Sequence, residues 1–256
     1  MPAYSDLVGP ANLIWFILGL VSGSFVCEVA DRLPVHENFI TGRSKCDGCG
    51  KTLSWYELVP IVSFCLQHGR CRSCGEKISP RYPIIEFING ALYFCVISVY
   101  GFSIETVLIS LLSSALLGLS LIDEKTHEIP VGFNIFILVL GLIRLFTDLA
   151  NWPLYVIGFF AVSLPLYLLL LLSKGKAIGG GDIKLMAAAG LLLGWKNALL
   201  SFILACILGS VIHLLRMKLS HASRTLALGP YLAAGLYISS LFGPSLISAY
   251  LAFLTR

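Results

Sequence analysis

Eight apolar runs dominate the chain and limit what it can become. They cover residues 8–28, 84–101, 104–122, 131–147, 153–173, 182–195, 197–215 and 227–253, and four charged clusters interrupt them: Asp31 to Arg81, Asp123–Glu128, Lys174–Lys184 and Arg216–Arg224. Runs of this length read as helices crossing a membrane, because a helix satisfies its own backbone polar groups where no water can. A transmembrane barrel would instead alternate apolar and polar residues over short segments. The expected fold is an all-α polytopic membrane protein of about eight transmembrane helices. A water-soluble enzyme is excluded by composition: 57 % of the 256 residues are hydrophobic and 12 % charged, about half the charge of a soluble domain.

Threading the runs back and forth puts all four charged clusters on one face. That face then carries 15 of the 18 Lys and Arg, leaving Arg144, Lys196 and Arg256 for the other. By the positive-inside rule the basic face is cytoplasmic and both termini lie outside. Met1–Leu20 has no Lys or Arg and reads as an uncleaved first helix, not a secretory signal. The expected location is the cytoplasmic (inner) membrane, with basic loops meeting lipid headgroups; nothing points to nucleic acid. Residues 1–30 form a first transmembrane helix, 31–83 a polar cytosolic insert, and 84–256 the remaining membrane core.

The insert holds four of the eight cysteines, as Cys46-Asp-Gly-Cys49-Gly50 and Cys71-Arg-Ser-Cys74-Gly75. Two Cys-x-x-Cys pairs, each followed by Gly, match a pair of zinc knuckles: tetrahedral zinc takes four thiolates, and each Gly lets the chain turn toward the sulfurs. Four thiolates leave no open position, so the zinc would be structural, in a segment small enough to need one. A disulfide pair requires an oxidising compartment, and a thioredoxin-like pair a βαβ setting that is missing here. Cys27, Cys65, Cys95 and Cys206 lie mostly in apolar runs and read as small packing residues.

Chemistry is expected where charge is costly. Asp123 closes the third run, before Ile129-Pro130, and Asp182 follows Gly179-Gly180-Gly181 at the start of the sixth. Ionisable groups near membrane depth usually face a cavity or bundle interior and mark function. Alone, Asp182 reads as a helix N-cap, Asp123 as an interfacial residue and the glycines as a flexible joint. Brought together, the two carboxylates share a proton. The ionised one can then take a proton from water while the protonated one polarises a carbonyl, as in an aspartic protease. Two membrane-edge aspartates beside broken helices also describe a proton-coupled transporter using them as a relay, but only one half of this chain carries a Gly-Gly-Gly-Asp. The run after Asp182, at about 20 Å, is too short for a full crossing and predicts a half-sunk, water-accessible site.

Gly179-Gly180-Gly181-Asp182 resembles the Gly-x-Gly-Asp signature of the type IV prepilin peptidases, and the likeness runs from about residue 19 to 235. Gly23-Ser24-Phe25 with Arg32-Leu33-Pro34 is similar to that family's first helix and its exit. The cysteine tetrad with Trp55-Tyr56-Glu57, Pro60, Ser63, Ile78 to Pro83 and Glu86 is similar to its insert. Asp123 with Ile129-Pro130 resembles its first catalytic segment and Gly229-Pro230-Tyr231-Leu232 the start of its last helix.

The resemblance implies that Asp123 and Asp182 are the catalytic pair, supported by the motif residues Gly179, Gly181 and Lys184. They would cut the basic leader from type IV prepilins or pseudopilins at the cytoplasmic face. In bacterial members with the cysteine insert it extends to methylation of the new N-terminus from S-adenosylmethionine. The residues themselves show no methyl transfer and no glycine-rich nucleotide fingerprint. Cys27-Glu28 stands where the family commonly has Asn, and Leu228 where it has an aromatic residue. Lys184 could favour the ionised form of Asp182 or snorkel to a headgroup. Glu86 could meet a basic leader or its own helix dipole. His127 and His213 carry no site assignment.

Overall fold

The computed structural model describes residues 3–39, 42–220 and 227–255; Arg224 and Arg256, counted in the charge pattern, lie outside the described residues. Ten α-helices account for most of the described chain: α1 (Ala3–Arg32), α2 (Val62–Leu66), α3 (Arg81–Tyr100), α4 (Ile104–Thr126), α5 (Val131–Thr147), α6 (Trp152–Ala161), α7 (Ser163–Leu172), α8 (Gly180–Leu193), α9 (Trp195–Ser220) and α10 (Gly229–Leu254). The all-α expectation holds among the described residues, where the only β-structure is two isolated bridges, Lys45 with Thr52 and Arg70 with Lys77.

Each of the eight apolar runs is helical, but eight full crossings are not present. Six stretches are long and apolar enough to cross a membrane: Gly9–Val35, Arg81–Tyr100, Ile104–Thr126, Leu149–Leu172, Trp195–Lys218 and Gly229–Leu254. The other two are short. Helix α5 has 17 residues between Pro130 and Asp148, and α8 has 14, about 26 and 21 Å at 1.5 Å per residue against a hydrocarbon core of about 30 Å. Hydropathy counted α8 as a span because it is apolar on every side. Ile183 and all of Leu185–Leu192 are buried within the protein, and a helix enclosed by other helices need not match the bilayer.

The chain divides into two compact units, 1–114 and 115–256, the division falling within α4. In the first, α1 and α3 run antiparallel, with Gly19 against Gly90 and Gly23 against Glu86. Buried Asn89 fastens them by donating from Nδ2 to the Gly19 carbonyl at 2.7 Å, while its Oδ1 accepts from Ser114 at 3.1 Å. With no water in the lipid interior, such interhelical hydrogen bonds and close small-residue contacts replace hydrophobic driving force. The insert joins α1 to α3 within this unit.

In the second unit, α8 is the central helix, packed by α5, α6, α7, α9 and α10. Gly181 lies against Ile129, just before α5, and Gly141 of α5 against Leu191, so α5 and α8 run parallel. Helix α10 lies antiparallel to α9, with Gly235 against Ser201 and Gly243 against Asn197. These directions agree with the back-and-forth threading of the sequence. They gather the end of α4 and the starts of α5, α8 and α10 at one end of the unit.

Candidate active site

Asp123 sits in the last turn of α4 and only 4 % of it is exposed. A carboxylate at a helix C-terminus faces the negative end of its own dipole, so burial there needs a compensating donor. The backbone N–H of Gly229, the first residue of α10, donates to Asp123 Oδ2 at 2.8 Å. Leu228, the N-cap of α10, has no side chain that can cap, and Asp123 supplies the missing acceptor from 106 residues away. Only glycine fits at 229: a Cβ there would lie 2.6 Å from Asp123 Oδ2 and 2.9 Å from Cγ. The motif Gly229-Pro230 is thus a close approach to the carboxylate, a role the sequence did not reveal. Its signal was the Gly-Pro pair opening an apolar run, since Pro marks the first turn of a helix.

Asp182 belongs to the same unit, at the start of α8. It is not the N-cap that sequence reasoning allowed: Gly179 holds that position with extended backbone (φ −75°, ψ 141°), and Asp182 is the third helical residue. From there its carboxylate lies back against Gly179, 3.0 Å from where a Cβ at that position would sit. Gly181, between them, packs on Ile129, whose Cβ would be 3.1 Å from any Cβ at 181. Asp182 is half-buried.

The two carboxylates lie within electrostatic reach of each other. Asp123 accepts the Gly229 backbone N–H, which orients it without neutralising it, and Asp182 lies against Gly179. Three helix starts, those of α5, α8 and α10, bring positive dipole ends to this junction, the arrangement that favours anions. His127 follows α4 with φ +55°, its N–H bonded to the Asp123 carbonyl at 2.9 Å, and adds its field to Asp123. Lys184 is exposed and, two residues on from Asp182, faces away from it around the helix; the structure gives it no ion pair with Asp182. Glu124 instead meets Arg216 at 3.8 Å on the surface.

In the first unit the four insert cysteines converge. The Sγ atoms of Cys46, Cys49, Cys71 and Cys74 all lie within 4.8 Å of one another, a set that could hold a metal ion. Cys46 and Cys74 are 3.7 Å apart, near the edge of a tetrahedron with ligands at about 2.3 Å and far beyond an S–S bond of about 2.05 Å. The two halves fold alike. Cys46 donates to the Lys51 carbonyl and accepts from Gly50 N–H, as Cys71 does with Glu76 and Gly75, and Gly50 and Gly75 both take the left-handed conformation (φ +69° and +74°). Backbone N–H groups of Cys74 and Ser73 hold the Cys71 thiol below its ordinary value, while the Cys74 thiol, close to the other sulfurs, is held above it.

Glu86 has a partner that the sequence did not reveal. It is buried in the first turns of α3, and its Oε2 accepts the N–H of Ile61 at 2.8 Å. Ile61 carries φ +61° and ψ −49°, with Val62 N–H bonded to the Pro60 carbonyl at 2.5 Å. This is a three-residue turn that a β-branched side chain adopts only under strain. Glu86 pins it.

Comparison with known proteins agrees with this layout. Residues 17–100 match the family described as "Bacterial Peptidase A24 N-terminal domain", and residues 110–214 that described as "Type IV leader peptidase family". The chain is 34 % identical over 241 residues to a "Prepilin leader peptidase/N-methyltransferase" of Bacillus subtilis (strain 168), covering 93 % of this chain and 97 % of that one. It is 30 % identical to the protein of that name from Stutzerimonas stutzeri, covering 93 % and 92 %. The Pseudomonas aeruginosa protein is 29 % identical, covering 94 % and 93 %. No solved structure matches the chain.

Proposed function

The chain belongs to the type IV leader peptidase family and is a multi-pass membrane peptidase, and from that premise we propose that Asp123 and Asp182 are its catalytic pair. The substrate is the leader of a type IV prepilin or pseudopilin, cut at the cytoplasmic face of the inner membrane. The single observation that carries the assignment is that two membrane-edge aspartates from different helices come within electrostatic reach of each other, with Asp123 held by a backbone N–H. The transporter alternative has no support, since every relative compared is a peptidase.

The chemistry follows from a shared proton. The ionised carboxylate removes a proton from a water placed between the pair, and the oxygen attacks the scissile carbonyl, which the protonated partner polarises. The same proton then goes to the departing amine nitrogen. Fixing Asp123 from the backbone places it before substrate arrives, so little of the binding energy goes to orienting it. The cysteine tetrad fits a tetrahedral metal, and in this reading Cys46, Cys49, Cys71 and Cys74 hold a structural zinc that keeps the insert folded. Methylation of the new N-terminus from S-adenosylmethionine belongs to the same proposal.

Purified protein in detergent, mixed with a prepilin, should release a shortened product, and Asp123→Asn and Asp182→Asn should each abolish it. Full activity in either variant would overturn the dyad. With S-adenosylmethionine present, the product's mass should rise by one methyl group; a mass unchanged by the cofactor would limit the enzyme to cleavage.

A further inference from the structure

A cavity of 610 Å³ opens within the first unit, between the ends of α1 and α3 and the metal-binding insert. That is the size of a small-ligand or peptide site. Seven carboxylates and three cations line it, and the excess of acid remains after adding Arg81 and Lys51, which reach Asp31 and Glu57 at 2.8 and 3.3 Å. Several acids are already engaged: Glu28 with Arg32, Asp31 with Arg81, Glu57 with Ser54 N–H, and Glu86 with Ile61 N–H. The carboxylates of Glu37, Asp47 and Glu76 have no hydrogen bond or ion pair among the described residues.

A second observation concerns Gln67, which follows α2 as its C-cap. Only 9 % of it is exposed, it lines the cavity, and its side-chain amide has no partner among the described residues. The amide is open to the cavity and not sealed within the protein. It offers one acceptor and two donors, which is what the N–H and C=O of an extended peptide require. Val35, Leu53 and Phe64 supply apolar wall between the acids. Lysine and arginine combine an apolar stem with a cationic head and so match a wall of that mixed character.

We propose that this cavity binds a short, extended, basic peptide segment. Granted the leader-cleaving activity above, on which this identification rests, the segment is the Lys/Arg-bearing leader of the substrate. Its cationic heads meet Glu37, Asp47 and Glu76, its stems lie on the apolar wall, and Gln67 hydrogen-bonds one peptide unit. A small organic cation such as S-adenosylmethionine shares the positive charge but presents no repeating peptide backbone to Gln67.

The test uses full-length protein in detergent and a fluorescently labelled leader-like peptide of alternating Lys and Ala that lacks a cleavage site. The peptide should bind, its affinity should fall with added salt, and replacing its lysines by glutamine should weaken it at least about fivefold. The double variant Glu37→Gln/Glu76→Gln and, separately, Gln67→Leu should each weaken binding about fivefold. With the double variant, KM for a basic-leader prepilin should rise by a similar factor, and the difference from wild type should vanish for a prepilin with a neutral leader. Equal affinity for basic and neutral peptides would overturn the proposal. So would one-to-one displacement of the peptide by S-adenosylmethionine, which would give the cavity to the small cation. The two readings fail separately: an Asp123→Asn variant that still cuts removes the dyad, whereas peptide binding is read without cleavage.

Discussion

Gly229→Ala is the sharpest test of the site geometry. A methyl group at this position falls 2.6 Å from Asp123 Oδ2, 2.9 Å from Cγ and 3.0 Å from Cβ. The whole carboxymethyl group is in the way, not the end of a flexible chain. Ordinary contact begins near 3.4 Å, so the carboxylate or the start of α10 must retreat by about 0.8 Å, and displacements near 1 Å in a catalytic group cost about 10²-fold. The 2.8 Å bond from Gly229 N–H is lost or lengthened with it. A hydrogen bond to a charged group is worth about 1.5–3 kcal/mol, and a hundredfold rate loss corresponds to about 2.7 kcal/mol, so the two routes agree. The expectation is a protein that elutes as wild type in size exclusion and cuts prepilin about a hundredfold more slowly in kcat. Gly180→Ala is the control, because nothing lies within 4 Å of its added methyl. Activity of Gly229→Ala within about threefold of wild type, well inside the 10² expected, would refute the claim that close approach of α10 fixes Asp123.

Two further expectations concern the insert. Metal analysis should find about one zinc per chain, lost in Cys46→Ser together with the compactness of residues 42–80 as read by limited proteolysis; a metal-free protein with an intact insert would remove the zinc assignment. Glu57 is buried, and the Ser54 backbone N–H at 2.9 Å, then Lys51, hold its carboxyl below its ordinary value of 4.5. A lowered folded value contributes stability above the unfolded value, and that stability disappears as pH falls through the folded one. Protease resistance of the insert should therefore drop on acidification below about 4.5, and Glu57→Gln should flatten this dependence; an unchanged acid profile would show that Glu57 does not couple to folding.

The sequence made the membrane class legible because charge is so costly in lipid that its few positions are forced. For the same reason Asp123 and Asp182 stood out as candidates, and the parallel run of α5 and α8 was implicit in the threading. The four cysteines were legible because their spacing encodes a local turn, repeated in Cys46–Gly50 and Cys71–Gly75. Long-range partners were not legible. No periodicity says that Gly229 caps on Asp123, that Glu86 pins the turn at Ile61, or that Gln67 is left unpaired in a cavity, since each depends on chain segments that meet only after folding. Glu86 shows the difference: its placement at a helix start suggested a dipole contact, and the structure spends it on a loop 25 residues earlier.

The short helix α8 bears on how the proposed pair of aspartates can be accommodated in a protein so poor in charge. A helix of 14 residues packed by five others is walled by protein along its length and need not match the bilayer. Asp182, on its first turn, is half-buried while residues from Leu185 onward are sealed. Asp123, on the longer α4, reaches the same level from the opposite direction, and the start of α10 closes over it. Lengthening α8 by one turn would carry Asp182 about 5.4 Å along its axis, away from the level set by Gly229. The shortness that keeps α8 from a full crossing is therefore tied to the position of its aspartate.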